Sequence, residues 1–395
     1  VPDDAAGVFR MIDPACGSGH FLLGAFPRIL DRWQQASPGT PVAELVQKAL
    51  DSIHGVDVNP YAVAITRFRL LLAALKASGE TKLAGAPQFT MNLACGDSLY
   101  HGRQRQQHLG DWTEETHTFK TEDADTLRRI LREGTYHCVV ANPPYITPKD
   151  RAANKTYRDL YTTCHMKYSL AVPFMERIFR LAVAGNGTPA GYTGQITTNS
   201  FMKREFGRKL IEQFLPTVDL THIIDTSGVA FASEGFAGTP TVILFGRHRK
   251  PQTDTIRTVM GIRGEPSTPD DPARGLVWSA IVRMIDTQTS RDREGADHAT
   301  RDQLTSRDQL TSRDREGAAT PPGDESAASL RARLVESTPA RFVEPTSAPL
   351  VESAPQPGDH EFISVADVPR ERFGKHPWSI GGGGAAELKE KLEAQ

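Results

Sequence analysis

The 395 residues carry 46 Lys+Arg against 48 Asp+Glu, a formal net charge of -2, so no basic excess announces a nucleic-acid partner, and any such contact must come from cations gathered on one face. No apolar run reaches the roughly 18 residues of a membrane span, and the N-terminus lacks the charged-then-apolar pattern of a secretory leader, which together point to a cytoplasmic protein. The four cysteines, Cys16, Cys95, Cys138 and Cys164, show no CxxC spacing and no clustering with histidine, which argues for reduced thiols and against a disulfide framework or a metal site.

From residue 8 to about 250, short apolar runs alternate with helix-spaced segments, the pattern of an α/β sheet with parallel strands and crossover helices. Strands are predicted at 8–13, 53–57, 89–95, 137–141, 194–198, 220–225 and 241–245. Helices are predicted at 21–35, 41–50, 60–76, 124–132, 170–184 and 203–214. The last two strands have no helix between them and should pair antiparallel.

Residues 1–250 therefore read as one folded domain and 251–286 as a peripheral extension. The stretch 287–360 fills with Ser, Thr, Pro and charged residues. It repeats TSRDREGA at 289–296 and 311–318, and RDQLTS at 301–306 and 307–312, so a disordered low-complexity insertion is expected. Order is expected to resume near Phe362, followed by a glycine joint at 381–384 and a short charged helix at 385–394. Segment 361–395 thus reads as the truncated start of a further region. The initial Val1, with the first motif a dozen residues on, suggests a piece of a longer polypeptide.

Four constellations carry chemistry. The first, Asp13-Pro14-Ala15-Cys16-Gly17-Ser18-Gly19, follows an apolar strand and opens a helix. Gly17 and Gly19 allow a tight turn and close approach to a ligand, with helix amides facing it; a nucleotide loop or a plain structural turn would look similar. The spacing is not the dinucleotide G-x-G-x-x-G and lacks the lysine of a P-loop. In the second, Gly55-Val56-Asp57-Val58-Asn59-Pro60, Asp57 ends a strand where an acid can accept from both hydroxyls of a ribose. A helix cap by Asp57 or Asn59 is the plain alternative. In the third, Asp97 lies just past the next strand, placed either to accept from an adenine amino group or merely to close a turn.

The fourth, Asn142-Pro143-Pro144-Tyr145, follows the strand at 137–141. Its two prolines fix the backbone, so the Pro143 carbonyl and the Asn142 side-chain oxygen can both accept from one amino group. Tyr145 offers a face on which an extruded base can stack.

Together these motifs resemble the gamma-type amino-group methyltransferases that act on adenine in DNA, with the DPACGSG loop and Asp57 on the cofactor side and NPPY as the catalytic loop. The resemblance covers roughly residues 8–250. It implies a class I, Rossmann-like S-adenosylmethionine-dependent methyltransferase fold with a mostly parallel seven-stranded sheet ending in an antiparallel hairpin. It makes 1–250 the catalytic domain, holding S-adenosylmethionine at Asp13, Pro14, Ala15, Cys16, Gly17, Gly19, Asp57, Asn59 and Asp97. It also makes 361–395 the start of a target-recognition region and places before Val1 an element that helps bind the methionine end of the cofactor.

The runs NPPYITPKDRAANKTYRDLY and GTPTVILFGRHR resemble the adenine methyltransferases of BREX-type (phage growth limitation) defence systems. That likeness implies double-stranded DNA and other defence subunits as partners. The resemblance makes Phe231 or Phe236 candidate second faces of a base clamp, with core packing as the alternative. Lys149, Arg151, Lys155 and Arg158 are candidate phosphate contacts, or otherwise a solvated loop. Protein-glutamine and RNA amino-group methyltransferases share NPPY, and a silent DNA-binding subunit would keep the fold, so these readings stay open.

Overall fold

The computed structural model describes residues 9–80, 86–102, 123–186, 188–226, 240–267, 269, 274–284, 358–378 and 380. The chain divides into one unit of 1–277 with 357–395 and a second of 278–356; only 278–284 of the second are described, and they are helical.

The elements of the first unit begin with β1 (Met11–Asp13), α1 (His20–Ala36), α2 (Val42–Asp51), β2 (Ile53–Asp57), α3 (Pro60–Ala77) and β3 (Asn92–Cys95). There follow α4 (Ala124–Ile130), β4 (Cys138–Ala141), α5 (Arg151–Leu160), α6 (Ala171–Leu181), β5 (Tyr192–Thr198) and α7 (Ser200–Lys203). Strands β6 (Asp219–Asp225), β7 (Thr241–Arg247), β8 (Thr255–Gly261), β9 (Gly358–Asp359) and β10 (Ile363–Pro369) complete it.

Among the described residues the strands form one ten-stranded sheet in the order β3-β2-β1-β4-β5-β7-β6-β8-β10-β9. Strands β3, β2, β1, β4 and β5 run parallel, and β7 lies antiparallel between β5 and β6. The expected hairpin is therefore present, but the sheet does not stop at seven strands. β8 joins β6 in parallel, and β10 pairs with β8 antiparallel over Ile363↔Gly261 to Pro369↔Thr255.

Two placements differ from the sequence-based expectation. The segment expected as a peripheral extension supplies β8, and the segment expected to open a further region supplies β10, both in this same sheet. An Arg257–Asp367 pair with two 2.8 Å bonds ties them across the ladder. Beyond β10, Phe373 and Trp378 plug the core, and the Trp378 ring meets Phe201 edge-on at 5.7 Å. The helix expected over 203–214 is also broken. After α7 the chain makes a tight turn at Glu205–Gly207 and then a wide helical turn at Leu210–Phe214. Gly207 lies so close to the Phe201 carbonyl that no side chain fits there, and this closure interrupts the helix.

Strand alternation assigns the layers. Met11 packs with Leu22, Phe26, Leu45 and Val46 of α1 and α2, while Ile12 packs with Leu127 and Ile130 of α4 and Ile178 of α6. Helices thus cover both faces of the parallel part, as βαβ crossovers require.

Candidate active site

The order of strands reverses between β1 and β4, whose residues pair as Met11↔Cys138 and Ile12↔Val139. In open α/β sheets ligands bind outside the carboxyl ends of the strands at such a switch point. The loop after β1, with its two glycines, and the loop after β4, with Asn142–Tyr145, emerge there side by side. The neighbouring β2 and β3 bring Asp57 and Asp97 to the same edge.

The β1 loop is held rigidly. Gly17 sits at φ 51° and Gly19 at φ 82°. A Cβ on Gly19 would lie 2.7 Å from the Thr66 methyl, so only glycine fits. Thr66 Oγ1 donates to the Gly17 carbonyl at 2.7 Å, and Arg69 Nη1 donates to Ser18 O at 2.7 Å. The Cys16 amide donates to Val56 O at 3.0 Å. Burial pushes the Cys16 thiol up, so it stays protonated. Neither Thr66 nor Arg69 stood out in the sequence, since both look like ordinary members of a helix.

Asp57 answers for this loop as well as for its own strand. One carboxylate oxygen accepts from the Gly17 amide at 2.8 Å and the other from the Asn59 amide at 2.9 Å. A carboxylate has about four acceptor positions, and these two amides occupy two of them. Asn59 caps α3 by accepting from the Tyr61 amide at 3.0 Å, the helix-cap alternative weighed above.

Asp13 is buried behind the loop and accepts from the Ala15 amide at 3.0 Å. Burial first, and the nearby Asp57 carboxylate as well, raise its pKa from 3.8 to about 7. Folding therefore takes up a proton at Asp13 in the window between those values, and the stability present below pH 3.8 is lost as pH rises to about 7. The slope from this one group reaches at most about 1.4 kcal/mol per pH unit. Asp13→Asn keeps an acceptor but cannot ionise, so its urea midpoint is expected to fall less than that of the native chain between pH 5 and 8. Identical pH slopes for the two would assign the effect to other groups.

Asp97 is also buried. Its Oδ1 accepts from the Leu99 amide at 2.8 Å and its Oδ2 from the Tyr157 hydroxyl at 2.6 Å. Across the switch point, Tyr145 Oη donates to Asn142 Oδ1 at 2.6 Å. Burial pushes the Tyr145 phenol up to about 12, so it keeps its proton at neutral pH and acts as a donor rather than a base. Asn142 and Pro144 are exposed, and Pro143 is buried beneath them.

Lys149, Arg151, Lys155 and Arg158 are all exposed. The last three recur at i, i+4 and i+7 on one face of α5, a helix the sequence had suggested as a loop. Phe231 and Phe236 lie outside the described residues. Among the described residues no cluster of His, Cys, Asp or Glu is arranged to hold a metal, and no helix is long and apolar enough to cross a membrane.

The sheet order, the glycine loop at the switch point and the acids ending β2 and following β3 define a class I S-adenosylmethionine-dependent methyltransferase fold. Residues 51–231 match the family model described as Eco57I restriction-modification methylase. It is 50% identical over 291 residues to the adenine-specific methyltransferase PglX of Streptomyces coelicolor, covering 70% of this chain and 24% of that protein. It is 27% identical over 285 residues to the type II methyltransferase M.PaeR7I of Pseudomonas aeruginosa, covering 68% and 42%. It is 26% identical over 229 residues to the type II restriction enzyme and methyltransferase RM.Eco57I of Escherichia coli, covering 51% and 21%. The chain thus spans less than half the length of each of these relatives.

Proposed function

We propose that this chain is the catalytic part of a DNA methyltransferase that moves a methyl group from S-adenosylmethionine to the N6 amino group of adenine in double-stranded DNA, acting in the cytoplasm within a phage-defence system and alongside its other subunits. The observation that carries this reading is the meeting, at one switch point, of a glycine loop braced on Asp57 with the Asn142–Tyr145 loop.

The residues present fit the cofactor. Gly17 has open space where a side chain would stand, Asp57 keeps acceptor capacity after binding two amides, and Asp97 follows the adjacent strand. The Asp13–Gly19 loop would hold the methionine portion, Asp57 the ribose hydroxyls and Asp97 the adenine amino group. When bound, S-adenosylmethionine supplies a methyl group already activated by its sulfonium charge.

The chain's own task is then positioning and charge placement. An adenine turned out of the duplex stacks on Tyr145, a contact worth about 1–3 kcal/mol. Its amino group donates to Asn142 Oδ1 and to the Pro143 carbonyl. An amide oxygen has two acceptor sites, so the Tyr145 hydroxyl can keep one of them while the base takes the other. Two acceptors draw the amino nitrogen out of conjugation with the ring and expose its lone pair to the methyl group. The surplus proton leaves to water after transfer, so no strong base is needed.

Tritium transfer from labelled cofactor to an adenine-containing duplex tests this, with release factor and RNA as control acceptors. Label is expected in N6-methyladenine of the duplex. Label in the protein or RNA control, and none in DNA, would replace this reading with that substrate class.

A further inference from the structure

Helix α5 has two faces that the function above does not connect. Its inner face carries Tyr157, buried, whose hydroxyl donates to Asp97 Oδ2 at 2.6 Å. One turn on, Tyr161 at the helix end is also buried and donates to the Leu99 carbonyl at 2.7 Å. The two phenols thus clasp both sides of the turn that begins at Asp97. The same turn is closed from within, by the Leu99 amide on Asp97 Oδ1 and the His101 amide on the Asp97 carbonyl. The outer face carries Arg151, Lys155 and Arg158, all exposed. The helix begins just beyond the NPPY loop, at a cap where Asp150 accepts from the Ala153 amide at 2.9 Å.

A rod ten residues long therefore has an acid of the cofactor edge hydrogen-bonded to one side and a row of cations on the other. Burial also raises the Tyr157 phenol, with the neighbouring Asp97 carboxylate adding to the shift, so Tyr157 remains a donor to Asp97 at any working pH. Phosphates drawn to the outer row would fix the helix, and the helix would in turn fix the acceptor geometry of Asp97. Binding that orders an element already shared by a second site lowers the cost of filling that site.

We propose that Tyr157 is a positioning residue through which helix α5 couples duplex contact on its basic face to the grip of Asp97 on the cofactor, so that each ligand tightens the other. This rests on the functional reading above, and by linkage the effect must be reciprocal.

The test is calorimetric binding of S-adenosylhomocysteine to the full 395-residue chain, with and without an adenine-containing duplex at low salt. In the native chain, duplex is expected to lower the Kd for the cofactor product by about fivefold or more, the lower end of typical coupling. In Tyr157→Phe, which loses one hydroxyl and keeps the ring, binding without DNA is expected to weaken several-fold and the effect of duplex to fall towards none, with Tm near native. A paired Arg151→Gln, Lys155→Gln variant leaves the core untouched and answers the question even if Tyr157→Phe unfolds. It should bind the cofactor product as the native chain does without DNA and lose the enhancement with DNA.

A native chain whose cofactor affinity ignores duplex that it demonstrably binds overturns the coupling while leaving the functional reading in place. So does a Tyr157→Phe variant with both constants unchanged. A native chain that binds no cofactor product at all sinks the functional reading, and the coupling with it.

Discussion

Replacing Arg177 with Met is expected to cost several kcal/mol of folding stability, because three backbone carbonyls lose their donor, while the partly exposed Glu133 can turn to water. Arg177 is completely buried on α6, and its guanidinium spends its donors on four acceptors. Nε donates to Ser98 O at 3.0 Å, Nη1 to Glu133 Oε1 at 2.9 Å, and Nη2 to His101 O and Leu131 O, each at 2.8 Å. Methionine fills much of the volume but satisfies none of the four, and a buried acceptor without a partner costs about 1–3 kcal/mol. The loss should appear as a lowered urea midpoint with an unchanged slope, because the same surface still unfolds. The pinned turn includes Ser98 and His101 and starts at Asp97, so cofactor affinity should fall as well. A variant as stable as the native chain would mean that water replaces the guanidinium in its site.

How much of this could be read from the sequence depends on how local the cause is. The strand at 53–57 and the helix from Pro60 coincide with the expectation, because a short Ile-His-Gly-Val run ending at an acid and an Asn-Pro helix start are complete within a few residues. That the chain leaves β4 in a loop at Asn142–Tyr145 was legible for the same reason, since two adjacent prolines leave few conformations. Helix α5 was not. It turns inward chiefly through Thr156 and Tyr157, and the rest of RAANKTYRDL reads as a polar loop.

Strands β8 and β10 escaped for the opposite reason. Arg257 and Asp367 stand 110 residues apart, and no local pattern shows that two short alternating runs on either side of a repetitive stretch belong to one ladder. Arg177 hides in the amphipathic pattern of α6, where a basic residue is expected at the surface. At the site, the acids at 57 and 97 were placed correctly at the strand ends. Their engagement by Gly17, Asn59, Leu99 and Tyr157 follows only from the packing of β1, β2, β3 and α5.

The second large effect is expected at Asn142. Asn142→Ala should lower the rate of methyl transfer by at least about 10²–10³, the usual cost of deleting one preorganised polar group from a transition state. Cofactor affinity should stay near native, because the hydrogen-bond partner the structure gives this side chain is Tyr145 Oη, and Asp13, Asp57 and Asp97 keep their own partners. Stability should change little, since the side chain is exposed. The loss should fall on kcat rather than on the cofactor KM, because the interaction is made to the target amino group and strengthens as its nitrogen becomes tetrahedral. Asn142→Asp retains an acceptor oxygen in nearly the same place, so it should keep more activity than Asn142→Ala. Tyr145→Phe loses the 2.6 Å bond but keeps the stacking face, and should fall between native and Asn142→Ala. If Asn142→Ala transferred methyl at the native rate while Asn142→Asp did not, a new negative charge rather than a missing acceptor would be the damaging change. The Asn142 oxygen would then have no part in drawing the amino group towards the methyl donor.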